Sequence, residues 1–314
     1  MNLKTAVIFG ATGATGLPIA RELLKRRIKT RVVSRNSSRL EERFKGLDVQ
    51  IVAANLSDSE AAKRAADSCE VIFHCVGVPL QTYQEHIPIA RNTVAAMEAT
   101  GAKAVLVSSF WSYGPAQSNP VKESFRPALF SPKEIIRREQ EDLLRQAGGL
   151  VVLLPDFYGP GAELGFANAA IRATAAGKTA NWIGNPDLPR ELIFVPDVGF
   201  PIVELAHQES AYGQRWNVPG QGAITPRQFL QLAAIQSGTS LKVRQGSPFL
   251  FTLLGLFNPE IRALKDLLPL YTLPPILDAT KVRALIGDYP VTSYSDGVRQ
   301  TLRWMESTTE AGPA

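Results

Sequence analysis

Apolar and polar positions alternate between two periods along the first half of the chain. Ala6-Val7-Ile8-Phe9 is an apolar run of strand length, and apolar residues then recur at Leu17, Ala20, Leu23 and Leu24, the spacing of a helix with one buried face. The same change of period repeats. Thr30–Ser34, Val49–Ala53, Val71–Val76, Ala104–Ser108 and Leu150–Leu154 read as strands. Helices are predicted over Tyr83–Thr100, closed by Gly101, and over Pro132–Ala147, ended by Gly148-Gly149; another starts at the capping-box spacing of Ser57 and Glu60. Strand and helix in regular alternation predict an α/β fold, a doubly wound parallel sheet with helices on both faces. Ligands of such sheets bind at the carboxyl ends of the strands.

Beyond Pro155 the texture changes. Pro and Gly punctuate shorter elements, with two better helices near Asp197–Ala206 and Pro226–Ser237. No linker or repeat separates the halves, so residues 1–155 are predicted to form the doubly wound domain. Residues 156–304 then form a smaller mixed lobe interleaved with it, and 305–314 a disordered tail. Pro248–Pro275 is unusually apolar, which suits core, a homodimer face or the lid of an apolar substrate pocket.

Composition narrows the class. A chain of 314 residues that is 45% hydrophobic can bury a large core. Two cysteines, Cys69 and Cys75, are too few for a disulfide scaffold, and Cys75 sits in an apolar strand as a small buried residue would. No cleavable leader is visible and the longest apolar stretch, Phe249 to Phe257, is too short to span a bilayer, so the expectation is a cytoplasmic protein without membrane contact. The net charge of +5 is concentrated: ten Lys/Arg against three Glu lie between Arg21 and Lys45. Nucleic-acid binding is one meaning of such an excess, but the solvated face of the first helix accounts for much of it and an anionic cofactor for the rest, so no nucleic-acid partner is expected. His74, His86 and His207 show no metal-ligand spacing, no metal site is expected, and no G-x-S-x-G nucleophile elbow is present.

The first strand runs into Gly10-Ala11-Thr12-Gly13-Ala14-Thr15-Gly16, which opens the first helix. That order is a dinucleotide cradle. The backbone must approach a pyrophosphate without Cβ atoms in the way, and the helix N-terminus offers N–H groups and partial positive charge. In NAD-preferring sheets an acid closes the second strand and binds the adenosine ribose. Here no acid occurs from Lys29 to Leu40, and Ser34-Arg35-Asn36 ends that strand. A guanidinium fork suits the 2′-phosphate of NADP(H), which makes NADP(H) the preferred cofactor and NAD(H) the alternative.

These residues resemble the extended short-chain dehydrogenase/reductase superfamily, the group that contains NAD-dependent epimerase/dehydratases. Gly10, Gly13 and Gly16 fit its glycine loop, and Val107-Ser108-Ser109-Phe110-Trp111-Ser112-Tyr113-Gly114 its fifth-strand pattern. Tyr158-Gly159-Pro160-Gly161, Arg190–Asp197, Leu277–Lys281 and Gly297-Val298-Arg299…Trp304 follow in family order. The resemblance implies a catalytic Ser109. It also implies a cofactor set of Gly10, Thr12, Gly13, Ala14, Thr15 and Gly16 with Arg35, Asn55, Leu56, Val76, Gly77 and Pro155.

One departure is decisive. The family carries Tyr-x-x-x-Lys on the sixth helix, and alignment on Glu123 and Glu141 puts Lys133 at the Tyr position and Arg137 at the Lys position; no Tyr lies between Tyr113 and Tyr158. Lys133, Tyr113, Tyr158 or His86 could supply the proton instead, although a satisfied helix histidine is the simpler reading of His86. The resemblance therefore implies an oxidoreductase or epimerase/dehydratase-like enzyme acting on a small molecule. The alternative is a non-catalytic NADP(H)-sensing protein like regulators of the NmrA group. On the first reading Ser109, Lys133 and Arg137 form the catalytic set.

Overall fold

The computed structural model describes residues 1–126, 129, 131–163, 165–246 and 265–310. Seven parallel strands form the central sheet: β1 (Thr5–Phe9), β2 (Lys29–Ser34), β3 (Val49–Ala53), β4 (Val71–His74), β5 (Lys103–Ser109), β6 (Leu150–Leu154) and β10 (Arg215–Asn217). Their order is β10-β6-β5-β4-β1-β2-β3, so the winding reverses between β1 and β4. Phe9 pairs with His74 there, and with Val33 on the other side. The strands of the sheet centre are apolar on both faces because helices cover both. α1 (Gly16–Lys25) and α7 (Gly199–His207) pack on one side, with Ile8, Ile19, Leu23, Val152, Ile202 and Val203 in a single cluster. α3 (Ser59–Ala66), α4 (His86–Thr100) and α5 (Pro132–Gln146) cover the other, around Phe9, Ile72, Ala90, Leu106 and Leu144.

The second half of the chain is interleaved with the first. α7 lies on α1 where a Cβ on Gly199 would come within 2.3 Å of the Pro18 carbonyl oxygen, so only glycine permits that approach. β10 then returns to pair with β6, Arg215 opposite Val151. The remainder forms a lobe of its own. It holds a small sheet of β7 (Asp156–Tyr158), β9 (Arg190–Phe194) and β11 (Ala223–Ile224), and a β8–β12 pair (Ala180–Trp182, Val243–Gln245). Around these pack α6 (Phe166–Ala175), α8 (Pro226–Gln236) and α10 (Tyr294–Glu310), while α9 (Thr280–Ile286) joins the α7 side of the core.

Three expectations change in detail. The cap of α3 is Asp58, whose carboxylate accepts from the Glu60 and Ala61 N–H groups, so the capping box expected at Ser57 and Glu60 starts one residue too early. The predicted helix from Tyr83 is divided: a 3-10 turn covers Leu80–Glu85, with Thr82 non-helical, before α4 begins at His86. The tail expected over 305–314 is helical as far as Glu310, because Thr301 and Met305 are buried against the lobe; 311–314 lie outside the described residues. Of the apolar Pro248–Pro275 segment, 247–264 lie outside them too, and Leu267, Leu270 and Tyr271 are core.

Candidate cofactor and active site

At the reversal of the winding, β1 ends in the glycine turn. Gly10 has φ +73°, a left-handed value, and a Cβ there would lie 2.6 Å from the Val76 Cα. Its N–H and that of Ala11 both donate to the Val33 carbonyl at 3.0 Å, which ties the turn to β2. A Cβ on Gly16 would strike the Ala11 carbonyl at 2.1 Å, so this glycine sets the packing of α1 on the turn. Gly13 differs, since its nearest neighbours to a Cβ are the Gly10 and Cys75 carbonyl oxygens at 3.2 and 3.4 Å. Glycine at 13 therefore keeps the approach open more than it relieves a clash. Thr15, the N-cap of α1, makes no side-chain cap bond, and the first turn holds no acid. Such an end suits an anion. The Cys75 thiol, buried beside Thr15, is pushed up to about 12 by burial, so it stays protonated and inert.

The other candidate cofactor residues lie at the same end of the sheet. Arg35 follows β2, is exposed, and makes no hydrogen bond or ion pair among the described residues. Asn36 caps α2 (Ser37–Arg43) by accepting from the Arg39 N–H at 3.0 Å, which fixes the backbone that carries Arg35. Asn55 is exposed after β3, and the buried Leu56 accepts from Asn92 Nδ2 at 2.9 Å through its carbonyl. After β4, Val76 is half-buried, and an added Cβ on the exposed Gly77 would meet nothing within 4 Å. Pro155 is buried at the end of β6. These residues, with Thr12 and Ala14 in the turn, fit a dinucleotide laid across the strand ends.

Ser109 closes β5, level with Leu154 and three residues beyond the position that pairs with His74. Its Oγ is buried and has no partner among the described residues. The neighbouring Ser108 is occupied: its Oγ donates to Glu141 at 2.6 Å, and Glu141 is in turn ion-paired with Arg215 at 2.8 Å. Ser109 alone of the two is available to a ligand.

The α5 residues do not stand free. α5 begins with a complete capping box, Ser131 and Glu134, with Pro132 at its first position. At the second position of the helix Lys133 is buried and its Nζ bonds Asp266 Oδ2 at 2.7 Å, a partner 133 positions away that local sequence does not signal. Arg137 donates from Nε to the Tyr83 hydroxyl at 3.0 Å and from Nη1 to Gln140 Oε1 at 2.7 Å, and its Nη2 faces His86 Nε2 at 3.3 Å. Gln140 Nε2 lies 3.2 Å from His74 Nε2, and His74 Nδ1 lies 2.9 Å from Thr93 Oγ1. With its Nε2 accepting from Gln140, neutral His74 carries its proton on Nδ1 and donates it to Thr93 Oγ1; Gln140 Nε2 also lies 3.4 Å from His86 Nδ1, so N–H donors face both ring nitrogens of His86. Burial, reinforced by the Arg137 charge, pushes His74 down to about 3 and His86 well below its ordinary value. Both are therefore neutral at physiological pH, and His86 is a satisfied core histidine. Tyr83 lies with its ring 5.9 Å from that of Trp111, just past Ser109, and nothing in its sequence neighbourhood marks it.

The other proposed proton donors lie elsewhere. The Tyr113 hydroxyl bonds Asn217 Oδ1 at 2.7 Å, beneath the Arg215 guanidinium. Tyr158 is buried in the lobe between Phe194, Phe229 and Tyr294, and burial raises both phenols strongly. Within the lobe Arg190 is 2% exposed and stacks on Tyr271, Trp182 and Phe166 at 4.9, 5.2 and 5.9 Å. Its Nη1 is 3.8 Å from Asp156, a carboxyl that burial pushes up to about 6 despite that cation.

A glycine cradle at the winding reversal of a parallel sheet defines a dinucleotide-binding protein. Residues 10–151 match the family model described as NAD(P)H-binding. The whole chain has the fold of NAD-dependent epimerases and dehydratases. UDP-glucose 4-epimerase of Thermotoga maritima, solved with UDP-glucose, covers 97% of this chain and 99% of its own, with a TM-score of 0.78 and 17% identity. dTDP-glucose 4,6-dehydratase of Bacillus anthracis, solved with NAD, covers 98% of each chain with a TM-score of 0.79 and 14% identity. An epimerase of Methanothermobacter thermautotrophicus reaches a TM-score of 0.82 at 14% identity, over 98% of this chain and 94% of its own. A curated relative, the ceramide reductase of Caulobacter vibrioides, is 30% identical over 161 residues, 49% of this chain and 46% of that protein. The chain thus spans about half the length of that relative. The superfamily resemblance drawn from the sequence is borne out at the level of domain and fold.

Proposed function

We propose that the protein is an NADP(H)-dependent oxidoreductase that reduces the carbonyl group of a small, largely apolar molecule. The observation that carries this reading is the Ser109 hydroxyl, buried and unpartnered at the carboxyl end of β5. A buried hydroxyl left without a partner costs about 1–3 kcal/mol, and a substrate oxygen would remove that cost. The glycine turn would hold the pyrophosphate, Arg35 the 2′-phosphate, Asn55 and Leu56 the adenine side, and Val76, Gly77 and Pro155 the nicotinamide half. When bound, the cofactor supplies the hydride. The chain's own part is to orient the carbonyl through Ser109, to place the positive charges of Lys133 and Arg137 behind it, and to deliver a proton to its oxygen.

Lys133 is the member of that pair able to exchange a proton, since a guanidinium keeps its own. To do so it must leave Asp266, whose side chain is 45% exposed and can turn to solvent. The apolar character of the substrate is argued from two sides. Arg190, a buried cation of the lobe, is enclosed by three aromatic rings with Asp156 3.8 Å away, a surrounding that is apolar on most sides. The reductase named for ceramide adds long-chain lipid carbonyls to the candidates.

Purified protein with NADPH and a panel of ketones and aldehydes of increasing chain length tests the reading, with loss of NADPH absorbance as the signal. Reduction that improves with chain length is the expected result. A specific observation favours a second reading, an NADP(H)-sensing protein without turnover: Lys133 and Arg137 are both committed to protein partners. Tight NADPH binding with no oxidation across the panel would decide for it.

A further inference from the structure

α2 presents a stripe of guanidinium groups. Arg39 and Arg43 are one turn apart on it, and Arg35 lies one turn before Arg39. Arg43 points at the glycine turn: its Nη2 donates to the Gly13 carbonyl at 3.2 Å and would lie 2.8 Å from a Cβ on Gly161. Its Nε is buried and has no partner. Glu163, in the segment between β7 and α6, reaches across to both arginines. One carboxylate oxygen is 3.2 Å from Arg39 Nη2 and the other 3.6 Å from Arg43 Nη1. A single carboxylate from the lobe therefore sits between two arginines at the edge of the cradle, and two positive charges face one negative.

We propose that Glu163 occupies, in the free protein, an anion site that Arg39 and Arg43 offer to a phosphate of the dinucleotide, and that the phosphate displaces it. The proposal rests on the cofactor reading above and adds two phosphate-binding residues and a competitor to it. Its physical basis is the charge count and the geometry. A pyrophosphate or a 2′-phosphate brings roughly two negative charges to the stripe, where Glu163 brings one. The guanidinium fork binds phosphate oxygens in the same bidentate manner as carboxylate oxygens. Arg43 is held beside the glycine turn by its bond to the Gly13 carbonyl, so its position there is preformed. Glu163 is half exposed and loses little on returning to water. Its release breaks both ion pairs between α2 and the segment that leads to α6.

Calorimetric titration of NADPH and NADH into the wild type, Glu163→Gln, Arg39→Met and the double variant tests this without any measurement of turnover. Glu163→Gln is expected to tighten NADPH binding by about three- to tenfold, because a neutral amide competes less well for the arginines. Arg39→Met, at an exposed position that leaves the fold intact, is expected to weaken it about tenfold, and in the double variant the gain from Gln should shrink. A gain for NADPH alone assigns the displacement to the 2′-phosphate, and a gain for both cofactors assigns it to the pyrophosphate; either supports the proposal. Unchanged or weaker binding in Glu163→Gln overturns it and makes Glu163 part of the clamp or a bystander. Absence of binding by the wild type is a different result, which removes the cofactor reading itself.

Discussion

Arg35 and Lys133 carry the two functional statements that depend on single side chains. Arg35 is exposed, unpaired among the described residues and set at the end of β2 by the Asn36 cap. If it binds the 2′-phosphate, Arg35→Ala should lower NADPH affinity by about ten- to a hundredfold, the worth of a charge-assisted contact of about 1.5–3 kcal/mol, with NADH nearly unaffected. Equal losses for the two cofactors in calorimetry would place Arg35 on the pyrophosphate instead. Lys133 is the opposite case, buried and engaged with Asp266. Lys133→Met should cut turnover by about 10²–10⁴ while leaving NADPH affinity little changed, as loss of one general acid does. A parallel Tyr83→Phe variant guards the assignment. If it carries the loss and Lys133→Met does not, the phenol held by Arg137 is the donor.

The strand–turn–helix unit of β1, the glycine turn and α1 makes its prediction through geometry. Its outer glycines serve the fold and its middle one leaves the turn open, because a Cβ meets backbone at 2.6 Å on Gly10 and 2.1 Å on Gly16 but nothing closer than 3.2 Å on Gly13. Gly13→Val should therefore give a folded protein with an unshifted thermal transition and no dinucleotide binding. Gly16→Val should lower the transition itself, since α1 can no longer lie on Ala11. If Gly13→Val bound NADPH normally, the cradle would lie elsewhere. A similar division runs through α5. Its C-terminal half is tied to the sheet by Glu141, which meets Ser108 and Arg215, and its first turns carry Lys133 and Arg137, which meet Asp266 and Tyr83.

At the scale of the whole molecule, the second half of the chain is held together by buried polar groups whose charge state depends on pH. Glu191 of β9 accepts from the Gly220 N–H at 3.1 Å and the Leu277 N–H at 3.0 Å, and burial nevertheless pushes its carboxyl up to about 7. Asp156 rises to about 6 for the same reason. A carboxyl raised on folding is held protonated in the native state. Its contribution is fully present below the unfolded value near 4 and is lost as pH rises through 6 and 7. Urea midpoints should therefore contain a component that falls between about pH 4 and 7, and Glu191→Gln should flatten that fall. A midpoint in the variant with the wild-type pH slope would show that the backbone donors, rather than burial, govern Glu191.

The sequence by itself determined the sheet. The period of the apolar residues is local, so the strands at 49–53 and 150–154, the helix at 132–146 and the glycine turn were legible to within a residue or two. The missing acid after β2 and the missing Tyr on α5 were legible for the same reason: each is a residue at a known place in a local pattern. Helix boundaries governed by competing caps were less so, as Asp58 against Ser57 shows. Only the tertiary structure decided what the charged residues do. Lys133 meets Asp266 and Arg39 meets Glu163 across more than a hundred positions of chain, and Arg137 finds Tyr83 through the packing of α5 on the turn before α4. Such partners share no periodicity and no spacing. They are neighbours only because a doubly wound sheet gathers the ends of distant strands at one edge, and whether a buried charge is free or satisfied is a property of that edge.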